Sequence, residues 1–197
     1  MARPREFDED AALERAMDVF WRQGYQATST DDLMEAMGIG RGSFYNTFGS
    51  KRDVYLRTLD RYFRLLEDGG PYRMLFEAEP GAGALAALLT HYLDSVASPD
   101  GVHGCYFVHV AKEHRGEDPE VTRAIRRGVQ RMKEILTTHM KAAQEQGILP
   151  AHVAPERAAL LMMAVAWGSH VLVEAGVAEK EALSAARVLF EMTREPA

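Results

Sequence analysis

Between Gly38 and Lys51 the chain carries side chains whose chemistry suits recognition of a polymer rather than catalysis. Phe44 and Phe48 stand four residues apart, so on a helix both point inward together. At 100° per residue, Gly42, Ser43 and Asn46 then point the other way, with Tyr45 and Thr47 on the flanks. An outward face this small and polar lets a backbone approach DNA closely and offers hydrogen bonds to it. A second reactive place is Cys105, with His103 and His109 nearby and a predicted helix start beside it. Such neighbours lower a thiol's pKa and favour the thiolate. The competing reading of Cys105 is a small buried apolar residue. A metal site built from His103, Cys105 and His109 lacks a recognisable ligand spacing, so no metal or other cofactor is expected. Nor is there a nucleophile motif, a phosphate loop or a clustered carboxylate pair, which argues against an enzyme.

Positioning the outward face requires two short helices and a tight turn. Thr30 reads as the N-cap of the first, with Asp31 and Asp32 at its positive end. Leu33, Ala36 and Met37 fall on one face, and Gly38 ends the helix. After Ile39 and Gly40 the second helix begins, and the pair makes a helix-turn-helix whose second member can enter a major groove. Asp8 caps an earlier helix reaching Gly24, with Leu13, Ala16, Met17 and Phe20 on its buried side. Ser50 caps a fourth helix to about Asp68, with Tyr55, Leu59, Tyr62 and Leu66 inward and Arg57, Arg61 and Arg64 opposite. Gly69-Gly70-Pro71 breaks it.

The rest reads as helix: Gly81 to Ser98, Gly104 to His114, Pro119 to Gln146, Pro155 to Ala175 and Glu179 to Arg194. Val121, Ile125, Met132, Leu136 and Met140 form the inward stripe of the third of these. No β-alternation appears, so the fold class is all-α.

The chain has 197 residues, one cysteine and a net charge of -6. Its composition is that of an ordinary soluble protein, and a single cysteine excludes an intrachain disulfide and fits a reducing cytoplasm. The first residues, Met1-Ala2-Arg3-Pro4-Arg5-Glu6, are polar and suggest no signal peptide. Ala158 to Val173 is the longest mostly apolar segment, but Gly168, Ser169 and His170 interrupt it, so it is expected to fall short of a bilayer span. A net acidic chain argues against DNA as a partner, yet the distribution decides. From Ile39 to Arg64 the cations Arg41, Lys51, Arg52, Arg57, Arg61 and Arg64 outnumber Asp53 and Asp60, and Arg3 and Arg5 add a basic arm.

The string Gly38-Ile39-Gly40-x-Gly42-Ser43-Phe44-Tyr45-x-x-Phe48-x-Ser50-Lys51 closely resembles the DNA-binding signature of the TetR family of bacterial repressors. The likeness begins near Phe7, runs through Ala12 to Tyr25 and Thr28-Ser29-Thr30, and ends near Leu59. It implies a three-helix DNA-binding head over residues 1–49. A helical effector-binding and dimerisation domain over 50–197 is linked to the head by the helix 50–68. By resemblance, Arg41, Gly42 and Asn46 approach base edges, while Thr30, Ser43, Tyr45, Thr47 and Lys51 hold phosphates. The residue types agree: Arg grips guanine by two bonds, Asn grips adenine, and hydroxyls and an ammonium suit phosphate.

The resemblance also implies a homodimer formed through the last two long helices, and the sequence supplies a motive for it. Leu160 to Trp167 is apolar on every side of its helix and needs a second partner, with Leu183, Ala186, Leu189 and Phe190 of the last helix as neighbours. Two recognition helices about 34–36 Å apart read successive major-groove turns of a palindromic operator. An effector pocket is expected from Phe63, Tyr92, Cys105, Tyr106, His109, Met132, Met163, Trp167 and His170, suited to a small, mostly apolar molecule. Gly104-Cys105-Tyr106-Phe107 further resembles a Gly-Cys segment in a subset of the family, some of whose members sense oxidants or electrophiles. The expected function is a cytoplasmic, ligand-responsive dimeric repressor. The alternatives are an enzyme using Cys105 with a histidine and an all-α interaction module.

Overall fold

Helices account for every regular element among the described residues of the computed structural model, which are 7–68, 73–88, 105–114, 116–178, 180–182 and 184. They are α1 (Glu9–Ala27), α2 (Thr30–Met37), α3 (Arg41–Phe48), α4 (Lys51–Asp68), α5 (Arg73–Glu77), α6 (82–88), α7 (Tyr106–His114), α8 (Pro119–Glu145) and α9 (Pro155–Glu174). The all-α expectation holds. Tyr92, His103, the Gly69-Gly70-Pro71 break, the basic arm at Arg3 and Arg5, and Leu183, Ala186, Leu189 and Phe190 lie outside the described residues.

Packing sorts the chain into two compact units. One joins Met1–Leu65 to Tyr106–Gly128, and the other joins Leu66–Cys105 to Val129–Ala197. Val54, Tyr55, Leu59 and Tyr62 of α4 are buried, and they hold the helix in the first unit as far as Leu65. Residues 106–128 pack in that unit too.

The first unit, the head, is built on the inward face of α1. Ala12, Leu13, Ala16, Met17 and Phe20 are buried with Leu33 and Met37 of α2 and Phe44 and Phe48 of α3. Asp8 caps α1 by accepting from the amides of Asp10 and Ala11. The cap of α2 is Ser29, one residue before the expected Thr30. Its hydroxyl takes the Asp32 amide at 3.0 Å while Asp32 takes the Ser29 amide at 2.7 Å, a reciprocal pair that only Ser29 can close. Those bonds from Ser29 hold the Asp32 carboxyl below its ordinary pKa. This contribution to folding is present above the ordinary carboxylate range and is lost as acidification protonates Asp32. Gly38 ends α2 at φ 68°, a left-handed cap that suits glycine. Ser50 begins α4 by accepting the Asp53 amide at 3.1 Å.

The second unit, the body, draws on α5, α6, the later part of α8, and α9. Leu75, Ala84, Leu85, Leu88, Met132, Leu136, Met140, Ala143, Ala159 and Met163 are buried there. His139, 2% exposed, has Nε2 2.8 Å from the Leu75 carbonyl, and its Nδ1 accepts the Gly81 amide. That arrangement puts the ring proton on Nε2 and ties α5 to the start of α6. Helix α9 corrects an expectation. It spans 20 residues with a window hydropathy of 1.2, long and apolar enough by length and composition to cross a membrane. The leucines, methionines and valines raise the average more than Gly168, Ser169 and His170 lower it. Only Ala159, Met163 and Ser169 of it are buried, and Leu160, Leu161, Val171 and Leu172 are more than 40% exposed.

Candidate nucleic-acid interface

Helix α3 has eight residues, and two of them do the anchoring. Phe44 is fully buried and Phe48 nearly so, with ring centroids 6.1 Å apart. Fixing these two rings leaves Arg41, Gly42, Ser43, Tyr45 and Asn46 exposed and Thr47 half-buried. The outward face is the one the spacing predicts. A Cβ placed on Gly42 would meet nothing within 4 Å, so the glycine leaves open space on the side a duplex would occupy. The Arg41 guanidinium lies 5.8 Å from the Tyr45 ring centroid, which keeps a cation and a phenol together at one edge. Replacing either Arg41 or Asn46 by Ala is expected to cost about 1–3 kcal/mol of binding and to relax sequence choice. Competition of each variant against single-base operator changes measures both.

Thr30 and Lys51 border this face, each half-buried. Lys51 is more committed than its sequence position suggests. Its Nζ donates to the Thr28 carbonyl at 2.5 Å and sits 4.3 Å over the Tyr25 ring. An ammonium has three donors, so this seat orients the group and leaves capacity for a phosphate.

The arginine stripe of α4 behaves differently from its sequence reading. Arg57 lies 3.6 Å from Glu9, Arg61 contacts Asp10 at 3.4 Å and Glu14 at 2.5 Å, and Arg64 is 3.6 Å from Asp10. Arg52 forms a two-pronged bond to Asp118 at 2.8 and 3.0 Å and also reaches Glu120. The local positive excess is therefore largely answered by acids that lie far away along the chain. Arg52's hydrogen bonds hold the Asp118 carboxyl well below the usual carboxylate range, and those to Asp118 and Glu120 raise Arg52 further. The contribution of the pair stands through neutral pH and is lost only as pH falls far enough to protonate Asp118.

The residues expected to line an effector pocket divide between the units. Phe63, Tyr106 and His109 belong to the head, and Cys105, Met132, Met163, Trp167 and His170 to the body. Tyr106 is fully buried in the head's aromatic core, among the rings of Trp21, Tyr55 and Tyr62, and its hydroxyl meets that of Thr58 at 2.9 Å. Burial pushes the Tyr55 and Tyr106 phenols up. Met132 and Met163 are buried, while Cys105, Trp167 and His170 are half-buried. Burial also pushes the His170 imidazole below its ordinary value, with Glu174 opposing it.

Sequence reasoning missed Glu113. Its Oε2 accepts the Tyr25 amide at 2.8 Å, and its Oε1 accepts the Gln26 amide at 3.1 Å. Gly24 creates the need, because at φ 80° and ψ 165° it breaks α1 just before those amides. A Cβ there would lie 2.8 Å from Glu113, so the glycine also makes room for the carboxylate.

Comparison with known proteins agrees with this geometry. Residues 12–58 match the family model for bacterial regulatory proteins of the tetR family, and residues 81–189 match that for the tetracyclin repressor-like C-terminal domain. The HTH-type transcriptional regulator YezE of Bacillus subtilis (strain 168) is 32% identical over 151 residues, 76% of each chain. The HTH-type transcriptional repressor ComR of Escherichia coli (strain K12) is 28% identical over 76% of this chain and 71% of its own. Among solved structures, the TetR family transcriptional regulator CifR, as a cysteine mutant with 26bp double-strand operator DNA, superposes with a TM-score of 0.79. It is 31% identical, over 96% of this chain and 98% of its own.

Proposed function

Because the chain belongs to the tetR family of bacterial regulatory proteins, which are DNA-binding transcriptional regulators, we propose that it is a homodimeric repressor of a palindromic operator. The observation that carries the reading is the face of α3, where small and polar groups stand outward on two buried phenylalanines. Arg41, Gly42 and Asn46 face base edges, and Thr30, Ser43, Tyr45, Thr47 and Lys51 hold phosphates. The relative named a repressor and the neighbour complexed with operator DNA support the same role.

The second copy is seated on α9, where Leu160, Leu161, Val171 and Leu172 are exposed among the described residues. The body takes a small apolar or electrophilic effector, for which the buried Met132 and Met163 and the half-buried Cys105, Trp167 and His170 supply soft and aromatic surface. Effector binding favours a state that misplaces the heads, with a coupling of about 1–3 kcal/mol. The protein acts in the cytoplasm.

Selection of bound duplexes from a random pool tests the reading. The expected product is a palindrome whose half-sites lie about 34–36 Å apart. Recovery of unrelated sequences, or of none, would refute it. A salt titration tests the phosphate role of Lys51: Lys51→Ala is expected to weaken binding to all duplexes alike and to lower the salt slope by about one unit. An unchanged slope removes Lys51 from the phosphate contacts.

A further inference from the structure

The helix-turn-helix hairpin is held on both flanks by carboxylates from one short corner of the chain. Just before it, Glu113 at the end of α7 takes the amides of Tyr25 and Gln26. Just after it, Asp118 at the start of α8 takes two bonds from Arg52. Only Ala27, Thr28 and Ser29 separate the first grip from α2, and Lys51 alone separates Arg52 from Ser50.

The first grip reaches the proposed phosphate contacts by a traceable path. Glu113 fixes the Tyr25 and Gln26 peptides, Thr28 returns its hydroxyl to the Gly24 carbonyl at 2.7 Å, and the Thr28 carbonyl receives Lys51. The Tyr25 ring lies beneath the same ammonium. Lys51 therefore stands on a seat whose backbone is pinned by a carboxylate from α7. The corner is also where the body's chain enters the head. Residues 106–128 pack in the head, while 66–105 before them and 129–197 after them pack in the body. Helix α8 runs unbroken from Pro119 to Glu145, so Asp118 caps a helix that carries Met132, Leu136 and Met140 farther along.

We propose that Glu113 and Asp118 are positioning residues for operator binding, setting the hairpin and the Lys51 seat from the α7–α8 corner. The proposal rests on the DNA-binding reading above, and its test separates the two.

Two substitutions isolate the grips. Glu113→Gln keeps the size but retains one acceptor oxygen for two amides. Asp118→Asn keeps a good helix cap and loses the charge facing Arg52. Operator affinity and its salt dependence are read by fluorescence anisotropy on the full chain, with helix content checked by circular dichroism. Glu113→Gln is expected to bind about tenfold more weakly, with a salt slope lower by about one unit. Asp118→Asn is expected to lose about threefold, since Glu120 still holds Arg52. In double-mutant cycles Glu113→Gln should couple to Lys51→Ala and add independently to Asn46→Ala.

Wild-type protein that binds no operator overturns both readings. Wild-type binding together with unchanged affinity and slope in Glu113→Gln overturns the positioning role alone. Equal coupling to Lys51 and Asn46 would show general loosening of the head and overturns it as well. Should Glu113→Gln lose helix content, Asp118→Asn decides, and an affinity equal to wild type overturns the positioning role.

Discussion

An aspartate in place of Gly42 is expected to leave the head folded and to abolish operator binding. The two halves of this result have separate causes. Gly42 is exposed at the second position of α3, and an added Cβ meets no atom within 4 Å. An acid in the first turn of a helix faces the positive end of the helix dipole, and any residue there is a better helix former than glycine. Thermal unfolding should therefore be unchanged or slightly later. On the proposed reading of α3, the same carboxylate would face base edges and phosphates and repel them. Burying one uncompensated charge in an interface costs about 2–5 kcal/mol, a loss of roughly thirtyfold to several thousandfold. Gly42→Ala, which adds bulk without charge, should lose less. Anisotropy titrations of the three proteins at one ionic strength decide it. Binding by Gly42→Asp within threefold of wild type would mean that this face of α3 does not meet DNA.

Acidic substitutions on α9 should have an effect of similar size by a different route. Leu161 and Leu172 are eleven residues apart, which on an α-helix returns to nearly the same azimuth, and Leu160 and Val171 make a parallel row beside them. All four are exposed, between 41% and 46%. Ala164 and Gly168 fall between the rows, small enough for a second helix to come close. Leu161→Glu with Leu172→Glu is expected to give a folded monomer by light scattering, because both side chains are exposed among the described residues. Losing one of two linked half-site contacts removes the gain from effective concentration, so operator affinity should fall about a hundredfold or more. A double variant that stays dimeric would place the subunit contact elsewhere.

How far these features were legible in the sequence follows from the range of the forces involved. The spacing of Phe44 and Phe48, the stop at Gly38 and the start at Ser50 are local, and helical periodicity reveals them. The same local logic located α8 between Pro119 and Gly147 and the one-sided burial of α1. Ser29 was displaced by one because Thr30 is an equally good cap by type, and only the return bond from Asp32 distinguishes them. The partners of Arg57, Arg61 and Arg64 lie some fifty residues upstream, and no periodic pattern links them. Glu113 left no trace at all, since a single acid near a helix end is common and its purpose depends on a break in α1 that lies 89 residues earlier. The pocket residues were selected by type, and type does not say which compact unit each one joins.

The acids of α1 that cover the α4 arginines have a consequence for how the molecule finds its target. A regulator searching a chromosome is slowed by every stretch of unrelated duplex that holds it, and free arginines hold any duplex equally well. With Glu9, Asp10 and Glu14 lying against Arg57, Arg61 and Arg64, those cations are withdrawn from that competition. Contact with random sequence should be brief. On the proposed reading, genomic distance would then be covered by many short visits, with long residence only at a matching operator.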